Sequence, residues 1–228
     1  DANQVAAVVG GVAAACRENG CALLGGETAE MPGVYTPGEL DLAGTIVGVV
    51  ERARIIDGSR IRPGDVILAL SSSGLHTNGY SLARRVLAEL DWDAAHPELG
   101  VSIGTALLAV HRTYLQRVTS LLDAGIDVRG LAHITGGGVI DNLPRILPLG
   151  VGAIIRRGTW PEPLLFALIQ RLGDIKDAEM FHVFNMGLGM LVVLPSDQVQ
   201  LAQTTLPGEL SIVGEAISGD NSVSVLRG

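Results

Sequence analysis

The sequence predicts an α+β protein whose sheet is covered by helices on one face, and three observations carry that reading. Apolar runs of strand length, several rich in β-branched residues, fall at residues 21–24, 42–51, 66–70, 151–155, 190–194, 211–216 and 222–226. Between them, other stretches repeat their apolar residues at helical spacing. The two kinds alternate, but without the regular order of a doubly wound fold.

With 228 residues, 47% hydrophobic and 18% charged, the chain can bury one large core or two small ones and has no disordered signature. A net charge of −8 argues against nucleic acid as a partner, while leaving room for the local positive field a phosphorylated small molecule needs. Only 4% of residues are aromatic, so platforms for stacking single-stranded bases are scarce. No apolar run approaches the roughly 18 residues that span a bilayer, so no membrane partner is expected. Cys16 and Cys21 fit neither a metal-ligand pattern nor a disulfide framework. They are expected reduced in a core, which points to a cytoplasmic protein.

In chain order, Val5, Val8, Val9, Val12 and Cys16 mark a helix that Gly20 stops. It is not a signal peptide, because Asp1 leads it and Arg17-Glu18-Asn19 follow it. Its apolar face has no earlier strand to cover it, so the chain reads as starting partway through a domain. Gly10-Gly11 inside this helix suggests close packing against a neighbouring element. The run at 21–24 reads as a buried strand leading into Gly-Gly-Glu-Thr-Ala-Glu-Met-Pro-Gly at residues 25–33. Two glycines at a strand exit let backbone approach a ligand. The Glu27 carboxylate and Thr28 hydroxyl are oxygen donors suited to Mg²⁺ with a nucleotide's phosphates. The other reading of these nine residues is a glycine-rich turn with solvated acids. After the strand at 42–51, turn residues place a domain boundary near residue 53, dividing the chain into 1–53 and 54–228.

The strand at 66–70 runs into Ser71-Ser-Ser-Gly-Leu-His-Thr-Asn-Gly79 and a helix over 81–90. Ser71, Ser72, Ser73, Thr77 and Asn78 are short donors at a strand–helix junction and would suit an anion such as a ribose phosphate. The same residues also read as a capping loop, with Asn78 or Ser81 as the cap. His76 is hardest to explain as capping, although a lone histidine is often a satisfied structural group. Residues 91–102 read as a polar loop. Leu107, Val110, Tyr114, Val118, Leu121 and Leu122 predict one long helix closed by Gly125, with His111 and Arg112 as packing residues within it.

Residues 127–131 lead into His133-Ile-Thr-Gly-Gly-Gly138 and a helix over 139–146 ended by Pro148. Thr135, Gly136, Gly137 and Gly138 form a second potential phosphate nest, with a loose turn as the alternative. A strand at 151–155, a helix at 162–171 entered through two prolines, a loop at 181–189 and the strand at 190–194 follow. Ser196 is expected to cap a helix over 197–204, and the last two strands complete the sheet.

Five stretches in order resemble the phosphoribosylformylglycinamidine cyclo-ligase family, also called aminoimidazole ribonucleotide synthetases. They are residues 25–33, Ile55-Ile-Asp-Gly-Ser59, Ser72-Ser-Gly-Leu-His-Thr-Asn-Gly-Tyr-Ser-Leu82, His133-Ile-Thr-Gly-Gly-Gly138 with Asn142-Leu-Pro-Arg145, and Phe184-Asn-Met-Gly-Leu-Gly-Met190. The resemblance implies ATP- and Mg²⁺-dependent closure of an imidazole ring on a ribonucleotide in purine synthesis. It makes 1–53 the back part of a nucleotide-binding, homodimer-forming domain, lacking about a hundred preceding residues, and 54–228 a synthetase domain. A chain so shortened is expected to be inactive alone.

The resemblance further implies ATP at Gly25, Gly26, Glu27 and Thr28, with Glu27 on the metal. It implies substrate phosphate at Ser72, Ser73, Asn78, Thr135, Gly136, Gly137, Gly138 and Asn142, with acid/base work by His76 first and His133 second. Three alternatives remain: the amidotransferase that makes this substrate, a small-molecule kinase, or a non-catalytic ribotide-binding fragment.

Overall fold

The computed structural model describes residues 1–36 and 38–227, which form two units, Asp1–Ile55 and Ile56–Gly228. The first unit contains helix α1 (Ala2–Glu18). It starts earlier than its apolar pattern because Asp1 caps it, accepting the Asn3 N–H at 2.8 Å. None of its side chains is buried.

Residues 21–24 and 42–51, expected as buried strands, pair with no described strand, and Leu24, Ile46 and Val49 lie open. Strand propensity measures fit to a pleated, partnered surface, and here no neighbouring ladder completes it. The cysteines are free as expected, but neither is in a core: Cys21 is exposed, Cys16 is half-buried, and the Cys21 thiol donates to the Cys16 carbonyl.

The second unit is built on a six-stranded mixed sheet. Its strands are β1 (Val66–Ser71), β2 (Gly130–His133), β3 (Val151–Arg157), β4 (Leu188–Leu194), β5 (Leu210–Ser218) and β6 (Val223–Arg227), in the order β2-β4-β1-β5-β3-β6. All neighbours are antiparallel except β3 and β6. The helices are α2 (Tyr80–Val86), α3 (Ile103–Leu107), α4 (Leu115–Asp123), α5 (Gly138–Asn142), α6 (Leu164–Leu172), α7 (Asp177–Val183) and α8 (Val199–Thr205).

Strand alternation splits the core in two. Ile67 and Ala69 of β1, with Leu191 and Val193 of β4, face the cluster that includes residues of α2, α3, α5, α6 and α7. Leu68, Leu70, Val192 and Leu194 face a second, smaller cluster with Leu121 of α4 and Ala202 of α8. The α+β class holds, and the helical layer expected on one face is the thicker of two. The strands read as continuous apolar runs because both faces are buried. Phe166 and Phe184 are fully buried with ring centroids 5.7 Å apart, each contributing roughly 1.5–3 kcal/mol by burial.

Three local expectations change. The single long helix is two, α3 and α4, and His111 and Arg112 lie in the irregular segment between them. The loop expected at 181–189 begins inside α7. Ser196 makes no capping bond, and its helix is entered through a 3₁₀ turn, Ser196–Gln198.

Candidate active site

β1 and β2 both run antiparallel to β4, so they leave the sheet at the same end. Ser71 ends β1 opposite Leu188, and His133 ends β2 opposite Met190. The loops at 71–79 and 133–138, far apart in sequence, therefore emerge side by side. A Cβ on Gly136 would lie 3.3 Å from Asn78 Oδ1.

At this edge stand three histidines. His76 is 3% exposed, and its Nε2 accepts the Ser73 N–H at 3.0 Å. The Ser73 hydroxyl, 3.0 Å from the same nitrogen, donates to the Val110 carbonyl at 2.7 Å. With Nε2 accepting, the neutral ring carries its proton on Nδ1, which has no hydrogen-bond partner among the described residues. The backbone is left-handed at His76 and Thr77 (φ 52° and 64°), rare for a β-branched residue such as Thr77 and typical of places where surrounding structure enforces a functional geometry.

His111 stacks on His76 with centroids 3.9 Å apart, and its Nε2 lies 3.1 Å from Nε2 of the half-buried His133. Nearby, the Tyr114 hydroxyl donates to the Ser71 carbonyl at 2.9 Å, and burial pushes its pKa up to about 12. Arg112 donates to Ser71 Oγ at 2.7 Å, and Arg112 and Arg117 share the Glu209 carboxylate. Two cations on one carboxylate leave a positive balance beside the strand exit, which favours an anionic ligand.

Burial, then His111, His133 and Arg112, lower the His76 pKa from 6.5 to about 4. Between those values the unfolded chain binds a proton that the fold refuses. The stabilisation is therefore complete above about pH 6.5 and declines as pH falls towards 4, by about 1.4 kcal/mol per pH unit. Asp177, held down to about 2 chiefly by Arg227, loses its contribution only in a lower window. Urea denaturation in chelator-treated buffer should show the loss between pH 6.5 and 4, and an unchanged pH slope in His76→Gln would contradict it.

Most of the predicted substrate residues meet here, but several spend their side chains inside the protein. Ser72 donates to Asn185 at 2.9 Å, and Asn78 Nδ2 donates to the His76 carbonyl at 2.6 Å. Asn142 is buried, donates to the carbonyls of Gly138 and Gly136, and accepts from the Thr135 hydroxyl. These side chains shape the loops, and some backbone N–H groups are also bonded internally, Ser72 to the Gly187 carbonyl and Gly138 to the Thr135 carbonyl. Gly138 is required sterically: at φ 58°, a Cβ would sit 1.9 Å from the Phe181 carbonyl oxygen. Gly25, Gly26, Glu27 and Thr28 lie in exposed coil of the first unit.

Sequence reading missed His111, Arg112, Tyr114 and Asn185. The first three were hidden by a helical pattern that the structure breaks. Asn185 lay within a quoted motif but carried no evident chemistry.

The fold of the sheet and its helices is similar to that of solved structures. The thiamine-monophosphate kinase from Stenotrophomonas maltophilia K279a matches 77% of this chain and 54% of its own, with TM-score 0.51 and 16% identity. The hydrogenase maturation protein HypE in complex with ATP matches 75% and 49%, with TM-score 0.50 and 21% identity. At such identities the likeness is one of fold.

The chain belongs to the AIR synthase related protein family: the family's C-terminal domain matches residues 62–227 and its N-terminal domain residues 1–50. Curated relatives named phosphoribosylformylglycinamidine cyclo-ligase include that of Desulfitobacterium hafniense, 49% identical over 220 residues, 96% of this chain and 65% of the relative. That of Myxococcus xanthus is 52% identical over 211 residues, 91% and 61%. The chain thus spans somewhat under two thirds of the length of these relatives.

Proposed function

We propose that the full-length protein is an ATP-dependent cyclo-ligase that closes the imidazole ring of aminoimidazole ribonucleotide from formylglycinamidine ribonucleotide. The observation that carries this reading is the convergence of residues 71–79 and 133–138 at one sheet edge around His76 and His133. The name shared by relatives at about half identity supports it. ATP would transfer its terminal phosphoryl group to the formyl oxygen, releasing ADP. The amidine nitrogen then attacks that carbon, and the C–O bond breaks with phosphate leaving.

His133 is the better placed acid/base group, because it is half-buried with its Nε2 towards the exposed His111. His76 is pinned by Ser73 and serves as a neutral, fixed member of the site. The ribotide phosphate is assigned to the backbone of residues 71–79 and 135–138, beside the Arg112–Arg117 charge.

For Mg²⁺, the exposed Glu27 offers the single carboxylate the ion commonly takes when a nucleotide supplies further oxygens. No acidic trio gathers there among the described residues, so ATP phosphates would provide the other ligands. Bound so, the ion would offset the charge of the triphosphate.

We also assign a cytoplasmic setting and a homodimer formed through the first domain, residues 1–53. Val9, Leu24, Ile46, Val47 and Val49 are exposed in that unit and supply apolar surface for such a contact. Sedimentation velocity on the full-length protein tests the dimer, and a monomer at all concentrations would refute it.

Assaying ring closure by the full-length protein, with this chain alongside, tests the activity. In the same protein, Glu27→Gln should weaken Mg·ATP binding while the melting temperature stays near wild type, since exposed substitutions usually change stability by under about 0.5 kcal/mol. Unchanged nucleotide affinity by calorimetry would remove Glu27 from the metal.

A further inference from the structure

We propose that His76, His111 and His133 form a binding site for a zinc-class divalent cation (Zn²⁺, Co²⁺ or Ni²⁺), separate from any Mg²⁺ carried by ATP. One ligand-type nitrogen from each ring lies within 4.8 Å of the other two, and no other group of three or more such residues occurs among the described residues. The donor set is all imidazole, which suits Zn²⁺, Co²⁺ and Ni²⁺ and not Mg²⁺, whose ligands are oxygens.

The distances favour a metal. In a tetrahedral zinc site, Zn–N bonds of about 2.0–2.1 Å put neighbouring nitrogens about 3.3 Å apart. Nε2 of His111 and of His133 already stand 3.1 Å apart, head to head. His76 Nδ1 is a buried nitrogen with no partner, and buried polar atoms without partners are few in folded proteins. To ligate, it must give up its proton in favour of Nε2, where the Ser73 hydroxyl 3.0 Å away can accept it in place of the Ser73 N–H bond.

The third requirement is mobility. His76 and His133 are held at the sheet edge, one buried and one half-buried, whereas His111 is exposed in the irregular segment between α3 and α4. The His111 and His76 rings are stacked, 18° from parallel, and in-plane lone pairs of near-parallel rings do not converge on one point, so His111 must tilt out of the stack to close on an ion. An exposed ligand on an irregular segment can make that movement, and it provides the way in. Three protein ligands leave a fourth position open to water or to an anion. Occupancy would take His133 out of proton transfer, so the ion would act as an inhibitor of the proposed reaction.

The test is calorimetric titration of Zn²⁺ alone into the full chain carrying Cys16→Ser and Cys21→Ser, which removes the competing thiols. It uses neither ATP nor ribotide, so its outcome is independent of the proposed activity. The expected result is one ion per chain and, with Co²⁺, the visible absorption of a four-coordinate nitrogen site. Adding His111→Ala should weaken binding by at least 10–100-fold, the loss typical even for groups that only support a ligand. Adding His96→Ala instead, a histidine outside the cluster, should leave binding unchanged. No uptake by the thiol-free chain, equal uptake after His111→Ala, or loss after His96→Ala would each overturn the site.

Discussion

Replacing His133 with asparagine in the full-length protein is expected to lower kcat for ring closure by 10²–10⁴-fold, the usual contribution of a positioned acid/base group. The ribotide KM should change much less, because the phosphate is assigned to backbone and arginine charge. The pH–rate profile should also lose the limb that reports the His133 proton. Its neighbours are named by the geometry: His111 Nε2 at 3.1 Å, with the His76 and Tyr114 rings 6.4 and 6.1 Å away between centroids. His76→Gln should lower turnover as well, through the collapse of the 73–77 turn. A kcat within tenfold of wild type in His133→Asn, beside a severe loss in His76→Gln, would reverse these roles.

The largest effect on stability is expected from Asn185→Ala. The Asn185 Oδ1 accepts from the Ser72 hydroxyl at 2.9 Å and the Gly187 N–H at 2.8 Å, and its Nδ2 donates to the Gly74 carbonyl at 2.9 Å. All three bonds are buried. Each orphaned group costs about 1–3 kcal/mol, and because the groups are coupled, the sum is expected near 3–5 kcal/mol. Urea denaturation should show a lower midpoint with an unchanged slope. A loss under about 1 kcal/mol would mean that water satisfies these groups.

Much of the second unit was legible because its strands are buried on both faces and read as unbroken apolar runs, as in β1 and β4. Its glycine-marked loops were legible for a related reason: Gly79 and Gly138 sit at positive φ where a side chain would strike Phe184 or the Phe181 carbonyl. The first unit was misread where strand propensity stood in for a ladder that residues 42–51 do not make. The break between α3 and α4 was illegible because Leu107, Val110 and Tyr114 keep helical spacing across it, while tertiary bonds such as Tyr114 to Ser71 determine the path. Of the site, His76 and His133 stood out through their motifs. His111 did not, because only the fold brings it onto His76.

The tie between Ser72 and Asn185 spans 113 positions, and it sets a timetable for synthesis. At a translation rate of about 5–20 residues per second, the first loop leaves the ribosome roughly 6–23 s before its anchor. Until then β1 has neither of its sheet neighbours, β4 and β5, and the loop lacks the Asn185 bonds to Ser72 and Gly74. The nascent chain therefore carries two apolar strands, β1 and β2, without the strand that separates them. In the cell, a chaperone's protection would matter most during that interval.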